Sequence, residues 1–287
     1  MAHEPRPDQS TVEVEVERIG GADTSRRDQL AAEEPLEIRL GYGPPTARRR
    51  RSLTVTMRTP GDDVELAVGF LFAEGIVRRA ADIATAENCG PAVGPRRLRN
   101  VVRVELAPGL RVDSKQVGRT FLTTSACGLC GKASLQALAY VDHAPVADGT
   151  AVRATLIHAL PDALRRVQMV FERTGGLHAA ALFDHDGRLL DVREDVGRHN
   201  ALDKLIGARV LADAVPLTNY LVLVSGRAGY ELVQKAVAAG VPILAAVGAP
   251  SSLAAELARD ANVTLLGFVR GGRFNIYSAP QRIDAAA

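Results

Sequence analysis

Hydrophobic and polar residues alternate with period two at several places in this chain and recur at helical spacing in others. Leu36-Glu37-Ile38-Arg39-Leu40 alternates, Gly41 to Pro45 supplies turn residues, and Leu53-Thr54-Val55-Thr56-Met57 alternates again, which predicts a hairpin. Pro60-Gly61-Asp62 ends its second arm, and Asp62 or Asp63 is placed to cap a helix over Val64 to Glu74 that Gly75 closes. Val101 to Leu106 reads as a further strand. A Thr/Ser-rich segment, Thr120 to Ser125, and a helix-like run, Leu135 to Tyr140, flank Cys127-Gly128-Leu129-Cys130-Gly131.

The pattern changes after Pro161. A helix is expected over Asp162 to Arg173, ending at Gly175-Gly176. Leu177 to Phe183 and Leu189 to Val192 then predict a hairpin around Asp186-Gly187. Helices over Asn200 to Ala212, Tyr230 to Ala239 and Ser252 to Ala261 alternate with strands over Tyr220 to Ser225, Ile243 to Val247 and Val263 to Val269, and Arg273 to Ser278 closes the sheet. The strands at 220–224 and 243–247 are nearly all apolar, as central strands covered on both faces must be. This alternation predicts a layered α/β domain over residues 151–287. Residues 35–150 read as a smaller α+β portion ending in the cysteine loop. Residues 1–34 read as a charged, loose tail in which Thr11 to Glu17 is able to add an edge strand.

Composition narrows the function classes. Aromatic residues make up 4% and Trp is absent, which argues against a base-stacking nucleic-acid surface. A formal charge of +2 is too small to imply polyanion binding, and Arg48 to Arg51 read as the solvated shoulder of the first hairpin. No stretch has the apolar length of a membrane span, and Met1 to Ser10 holds no apolar signal core. Three cysteines without an export signal point to a reducing, cytoplasmic setting. There a close cysteine pair is reactive or metal-binding rather than a permanent disulfide.

Cys127 and Cys130 are spaced to face each other across a tight turn, with Gly128 and Gly131 leaving the backbone free to bend and Lys132 near enough to favour a thiolate. A persulfide carrier, a dithiol redox pair and a zinc site all use such spacing. Zinc requires four ligands, and only Cys89 and the histidines remain to complete the set, so no protein-bound zinc is expected. A redox pair stays open, although no thioredoxin-like βαβ opening places the pair at its first helix. Two further segments carry candidate chemistry. Glu194, Asp195, Arg198, His199, Asn200 and Asp203 cluster at a helix start, where a phosphate or guanine is able to bind or where a salt-bridge lattice holds the fold. Ser225-Gly226-Arg227-Ala228-Gly229 follows an apolar strand and opens a helix, the place where open α/β sheets hold ligands.

Arg193-Glu194-Asp195-Val196-Gly197-Arg198-His199-Asn200-Ala201-Leu202-Asp203-Lys204, together with the Cys127 to Gly131 motif, resembles the FdhD family of sulfur carriers needed for formate dehydrogenase maturation. Met57-Arg58-Thr59-Pro60-Gly61-Asp62-Asp63, Thr174-Gly175-Gly176-Leu177-His178 and Ser225-Gly226-Arg227 add to the resemblance, which runs from residue 57 to about 273. It implies that a cysteine desulfurase passes sulfur to Cys127 as a persulfide, assisted by Cys130. The sulfur then goes to molybdenum in the bis(molybdopterin guanine dinucleotide) cofactor before that cofactor enters formate dehydrogenase. It also implies that Phe268-Val269-Arg270-Gly271-Gly272-Arg273 contacts the cofactor, which suits two guanidinium forks flanking two close-approaching amides. Ser225, Gly226, Arg227, Arg198, His199 and Asn200 are the other candidate contacts. No nucleic acid or membrane is expected as a partner, and a homodimer stays open. A non-catalytic cofactor chaperone and a dithiol redox protein are the alternative readings. The family is associated with a cytidine-deaminase-like core, but deaminase chemistry is unsupported. His178 is followed by Ala179-Ala180 rather than a general-acid Glu, Ala126 stands in place of the Pro, and the Cys pair precedes the His.

Overall fold

The computed structural model describes residues 7–19, 25–94, 96–110, 112, 145–147 and 151–284. Strands β1 (Thr11–Glu17) and β2 (Ser25–Ala31) pair antiparallel as a two-stranded ribbon after a single turn over Pro7–Ser10. The segment read as a loose tail is therefore built into a ribbon, with the alternating run as one of its strands. Its second strand, Ser-Arg-Arg-Asp-Gln-Leu-Ala, is too polar to show a strand period. Strands β3 (Glu34–Tyr42) and β4 (Arg49–Arg58) form the expected hairpin. Together with β5 (Ile83–Cys89) and β6 (Val101–Leu106) they make a four-stranded sheet in the order β4-β3-β6-β5. The shoulder arginines are not merely solvated: Arg48 donates to the Gly41, Gly43 and Leu106 carbonyls, and Arg48 and Arg50 both bind the Glu105 carboxylate.

Helix α1 (Asp63–Ala73) follows β4. Asp62 takes the N-cap position in a left-handed conformation and makes no side-chain cap. The Asp63 carboxylate is occupied instead by the fork of Arg58, at 2.7 and 2.9 Å. Neither aspartate thus acts as the expected cap. Arg58 is fully buried and also donates to Asn100 Oδ1 at 2.9 Å and the Glu34 carbonyl at 3.3 Å. A lysine offers no planar fork for this carboxylate. Arg58→Lys is expected to lower unfolding free energy by ~1–2 kcal/mol; an unchanged midpoint in chemical denaturation would count against the role given to Arg58.

After the short β7 (Val152–Arg153) come α2 (Ala154–Arg165) and α3 (Met169–Thr174). The expected single helix from Asp162 is thus two helices. Pro161 lies inside α2 rather than ahead of it. It removes one backbone donor, and α2 holds because Ile157, Leu160 and Leu164 are buried against the sheet. Strands β8 (His178–Phe183), β9 (Leu189–Asp195), β10 (Leu221–Val224), β11 (Ile243–Ala246), β12 (Thr264–Arg270) and β13 (Arg273–Ser278) form a six-stranded sheet in the order β13-β12-β11-β10-β8-β9. Between them run α4 (Arg198–Leu211), α5 (Tyr230–Ala238) and α6 (Ser252–Asp260), and β14 (Ile283–Asp284) returns to pair with β7. The layered α/β architecture expected from the alternation is the one observed.

Period-two alternation in β10 decides which side of the sheet each residue serves. Val222 and Val224 pack into the larger core with α4, α5 and α6, while Leu221 and Leu223 pack toward α2. The larger core also takes Leu36, Ile38, Val102 and Val104 of the four-stranded sheet, so both sheets share one apolar interior. Helices α1 and α4 make that junction. Gly69 and Gly207 lie where they cross, and an added Cβ at either would stand 1.9 Å from a main-chain oxygen of the other helix, that of Asp203 or of Glu65.

Candidate functional site

Strands β9, β10, β11 and β12 run in one direction, and β8 runs against them. The carboxyl ends of those four strands, the start of β8 at His178, and the N-termini of α4, α5 and α6 therefore share one edge of the sheet. Open α/β sheets hold their ligands there, because unpaired helix amides and the positive ends of helix dipoles converge.

Backbone contacts stitch that edge together. The amide of Ser225 donates to Ala179 O, and the amide of Ala179 donates to Ser225 Oγ, both at 2.9 Å. Gly248 N donates to Gly226 O, and Phe268 N to Gly248 O, both at 3.0 Å. A Cβ on Gly226 would lie 3.1 Å from His178 Nδ1 and 3.8 Å from Arg198 Cδ. Thus His178, Arg198, Ser225, Gly226 and Phe268 come together although their numbers span ninety positions. Arg227 is exposed one residue past Gly226, and Gly229 and Ser251 begin α5 and α6. Arg270 and Arg273 pair across Gly271 and Gly272, whose φ values of 58° and 69° make a two-residue turn with both central residues left-handed. This exposed turn projects from the same edge. Val269, between Phe268 and Arg270, is buried in the core facing α2.

The helix-start cluster is largely occupied by its own lattice. Asp195 has no exposed surface, and its carboxylate accepts from Thr59 N at 3.1 Å, Gly197 N at 2.8 Å and Asn200 Nδ2 at 2.9 Å, with Lys204 Nζ at 2.8 Å. Asn200 Nδ2 also donates to Met57 O at 2.7 Å, so both its amide hydrogens are used inside the protein. His199 is buried between α4 and α5, with Nε2 3.2 Å from Glu231 in the first turn of α5. Asp203 pairs with Lys235 of α5 at 2.7 Å, and burial pushes its pKa up to about 6. Arg193 forks onto Glu65 and binds Asp191, and burial pushes the Glu194 carboxyl up although it accepts from the amides of Val170 and Phe171 at the start of α3. Of this cluster, only Arg198 presents its side chain at Gly226.

A cavity of about 500 Å³ opens beside the edge. Asp162, Gln168, Phe171, His178 and Ser225 are among its lining residues. Its size suits a small organic ligand. Spacing does not single out His178 as a contact; its nearness to Gly226 depends on the antiparallel β8–β10 register, which no local pattern announces. Cys127 and Cys130 lie outside the described residues. Cys89 is a partly buried free thiol ending β5. Among the described residues no helix is long and apolar enough to cross a membrane.

The fold and this edge define a layered α/β protein with an open, arginine- and glycine-lined crevice at its strand ends. The chain belongs to the FdhD/NarQ family, whose model matches residues 31–284. It is 52% identical over 270 residues to the sulfur carrier protein FdhD of Streptomyces coelicolor, covering 93% of both chains. It is 52% identical over 264 residues to the protein of the same name in Mycobacterium tuberculosis, covering 90% of this chain and 93% of that one. A crystal structure from Desulfotalea psychrophila, assigned as a formate dehydrogenase accessory protein, superposes with a TM-score of 0.74 at 26% identity over 96% of this chain and 100% of that one.

Proposed function

We propose that this protein is a sulfur carrier that forms a persulfide on Cys127 and delivers the sulfur to a molybdenum bis(molybdopterin guanine dinucleotide) cofactor destined for formate dehydrogenase. The observation that carries the reading is membership of the FdhD/NarQ family over residues 31–284 in a chain that holds the Cys127-x-x-Cys130 pair. In the loading step the Cys127 thiolate attacks the terminal sulfur of a cysteine desulfurase persulfide. A new S–S bond forms at Cys127, the donor's S–S bond breaks, and the donor cysteine leaves as a thiolate. Arg198, Arg227, Arg270, Arg273 and the helix amides at the strand-end edge supply charge and donors for the cofactor's phosphates. The carrier acts in the cytoplasm, with the desulfurase as donor and formate dehydrogenase as client.

Incubation with a cysteine desulfurase and cysteine is expected to add one sulfur atom to the intact mass of the wild type and none to Cys127→Ala. Undiminished loading of Cys127→Ala would overturn the assignment. The crevice also favours a second reading, a chaperone that escorts the cofactor without carrying sulfur. Full formate dehydrogenase activity in cells holding only the Cys127→Ala/Cys130→Ala protein would select it.

A further inference from the structure

We propose that His178 is a nucleotide-contacting residue of the crevice, taking up a proton from solvent when the diphosphate of a purine nucleotide settles between its imidazole and Arg198. The proposal rests on the cofactor-binding reading above and adds to it a residue, a charge state and a place for the base.

Three observations on geometry carry it. His178 is the first residue of β8, at the crevice edge, and its Nδ1 lies 3.1 Å from where a Cβ of Gly226 would be. A Cβ there would press on the imidazole, which would have to give by a few tenths of an ångström, so ring and strand-end backbone lie in close contact. Second, His178 and Ser225 also line the cavity of about 500 Å³, so the imidazole stands between the arginine-bearing edge and a chamber wide enough for a purine. Phe171 lines this chamber. Third, a polar group here has unused capacity. Arg198 Nε is buried without a hydrogen-bond partner among the described residues. A buried donor left in this state is costly, and it is available to a ligand.

The charge around His178 fixes the direction of the proton. Burial and, after it, the positive Arg198 of α4 hold the imidazole below the usual histidine range, while Asp195 of β9 pulls the other way. Asp162 and Arg165 of α2 line the chamber with it, and Arg227 stands beyond Gly226. These surroundings therefore favour neutral His178 at pH 7. A diphosphate laid against Arg198 offsets that positive charge and adds negative charge of its own, which favours imidazolium. Binding then draws in a proton, and affinity falls as pH rises; each unit by which the bound-state pKa exceeds the free one is about a tenfold change in affinity across the titration.

The test is calorimetric titration of the full chain with GDP at pH 7.5 in two buffers of different ionisation enthalpy. Wild type is expected to take up a measurable fraction of a proton per GDP bound. His178→Gln is expected to bind GDP more weakly and to take up no proton, since the terminal phosphate is already ionised and positive charge holds it so. Equal uptake by the two proteins overturns the role of His178 and leaves the cofactor reading standing. No GDP binding by wild type overturns both. Histidine-selective NMR of the wild type provides a measurement independent of the variant's folding: one imidazole pKa must rise on adding GDP, and a set of unmoved histidine titrations overturns the proposal.

Discussion

Asp195→Ala is expected to destabilise the protein by ~3–5 kcal/mol, the usual consequence of removing one partner from a buried ion pair. Asp195 has no exposed surface and Lys204 is 1% exposed, so neither is relieved by solvent. Loss of the carboxylate strands the Lys204 ammonium, leaving it only the carbonyls of Thr59 and Glu194, and removes the acceptor for the Thr59 and Gly197 amides. Three segments then lose their common anchor: the end of β4, the end of β9 and the first turn of α4. A paired substitution separates charge from packing. Asp195→Ala/Lys204→Met leaves no stranded charge and is expected to lose less stability than the two single substitutions added together. Chemical denaturation measures all three variants. A single-variant loss below ~1 kcal/mol, as for an exposed pair, would sink the account.

Gly207→Ala is expected to lower stability by at least ~2 kcal/mol, and with it the melting temperature by roughly 5 °C. Intrinsic helix propensity argues the other way, since alanine in a helix interior is favoured over glycine by ~1 kcal/mol. Sterics win because the added methyl would lie 1.9 Å from the Glu65 carbonyl oxygen and 2.8 Å from the Gly69 nitrogen. Those are backbone atoms of α1, which have no rotamer to adopt, so the two helices must separate. Their separation opens the one core that both sheets share. Thermal unfolding followed by circular dichroism checks it; a melting temperature equal to or above that of wild type would show that the crossing yields without cost.

Much of the fold is legible without coordinates. The apolar runs at 221–224 and 243–246, set between helical segments, read as strands covered on both faces, and they are the central strands β10 and β11. Strands β2 and β5 are not legible, because Ser-Arg-Arg-Asp-Gln-Leu-Ala and Ile-Ala-Thr-Ala-Glu-Asn-Cys have no clean alternation and owe their strand form to a neighbour's ladder. Pro161 misplaces the start of α2, since a proline is expected at the first turn of a helix and here sits in the interior of one.

The site divides along the same line. Local pattern picks out the segments at 193–204 and 225–229 as places where donors and positive charge collect, because glycine, arginine and helix starts leave a mark over a few residues, whereas 268–273 is marked out as a contact only by the family resemblance. What those segments do with their side chains was decided by tertiary structure. The polar residues of 193–204 look alike in a string, yet His199, Asn200, Asp203 and Lys204 all point into the protein and meet Glu231, Met57, Lys235 and Asp195, whereas Arg198 turns toward Gly226. A helix of which one side meets a sheet and the other meets α1 and α5 buries nearly its whole circumference, so a buried polar residue must find a partner that no spacing rule names. The meeting of His178, Gly226, Gly248 and Phe268 follows from strand order and register, which are set by packing between residues distant in the chain.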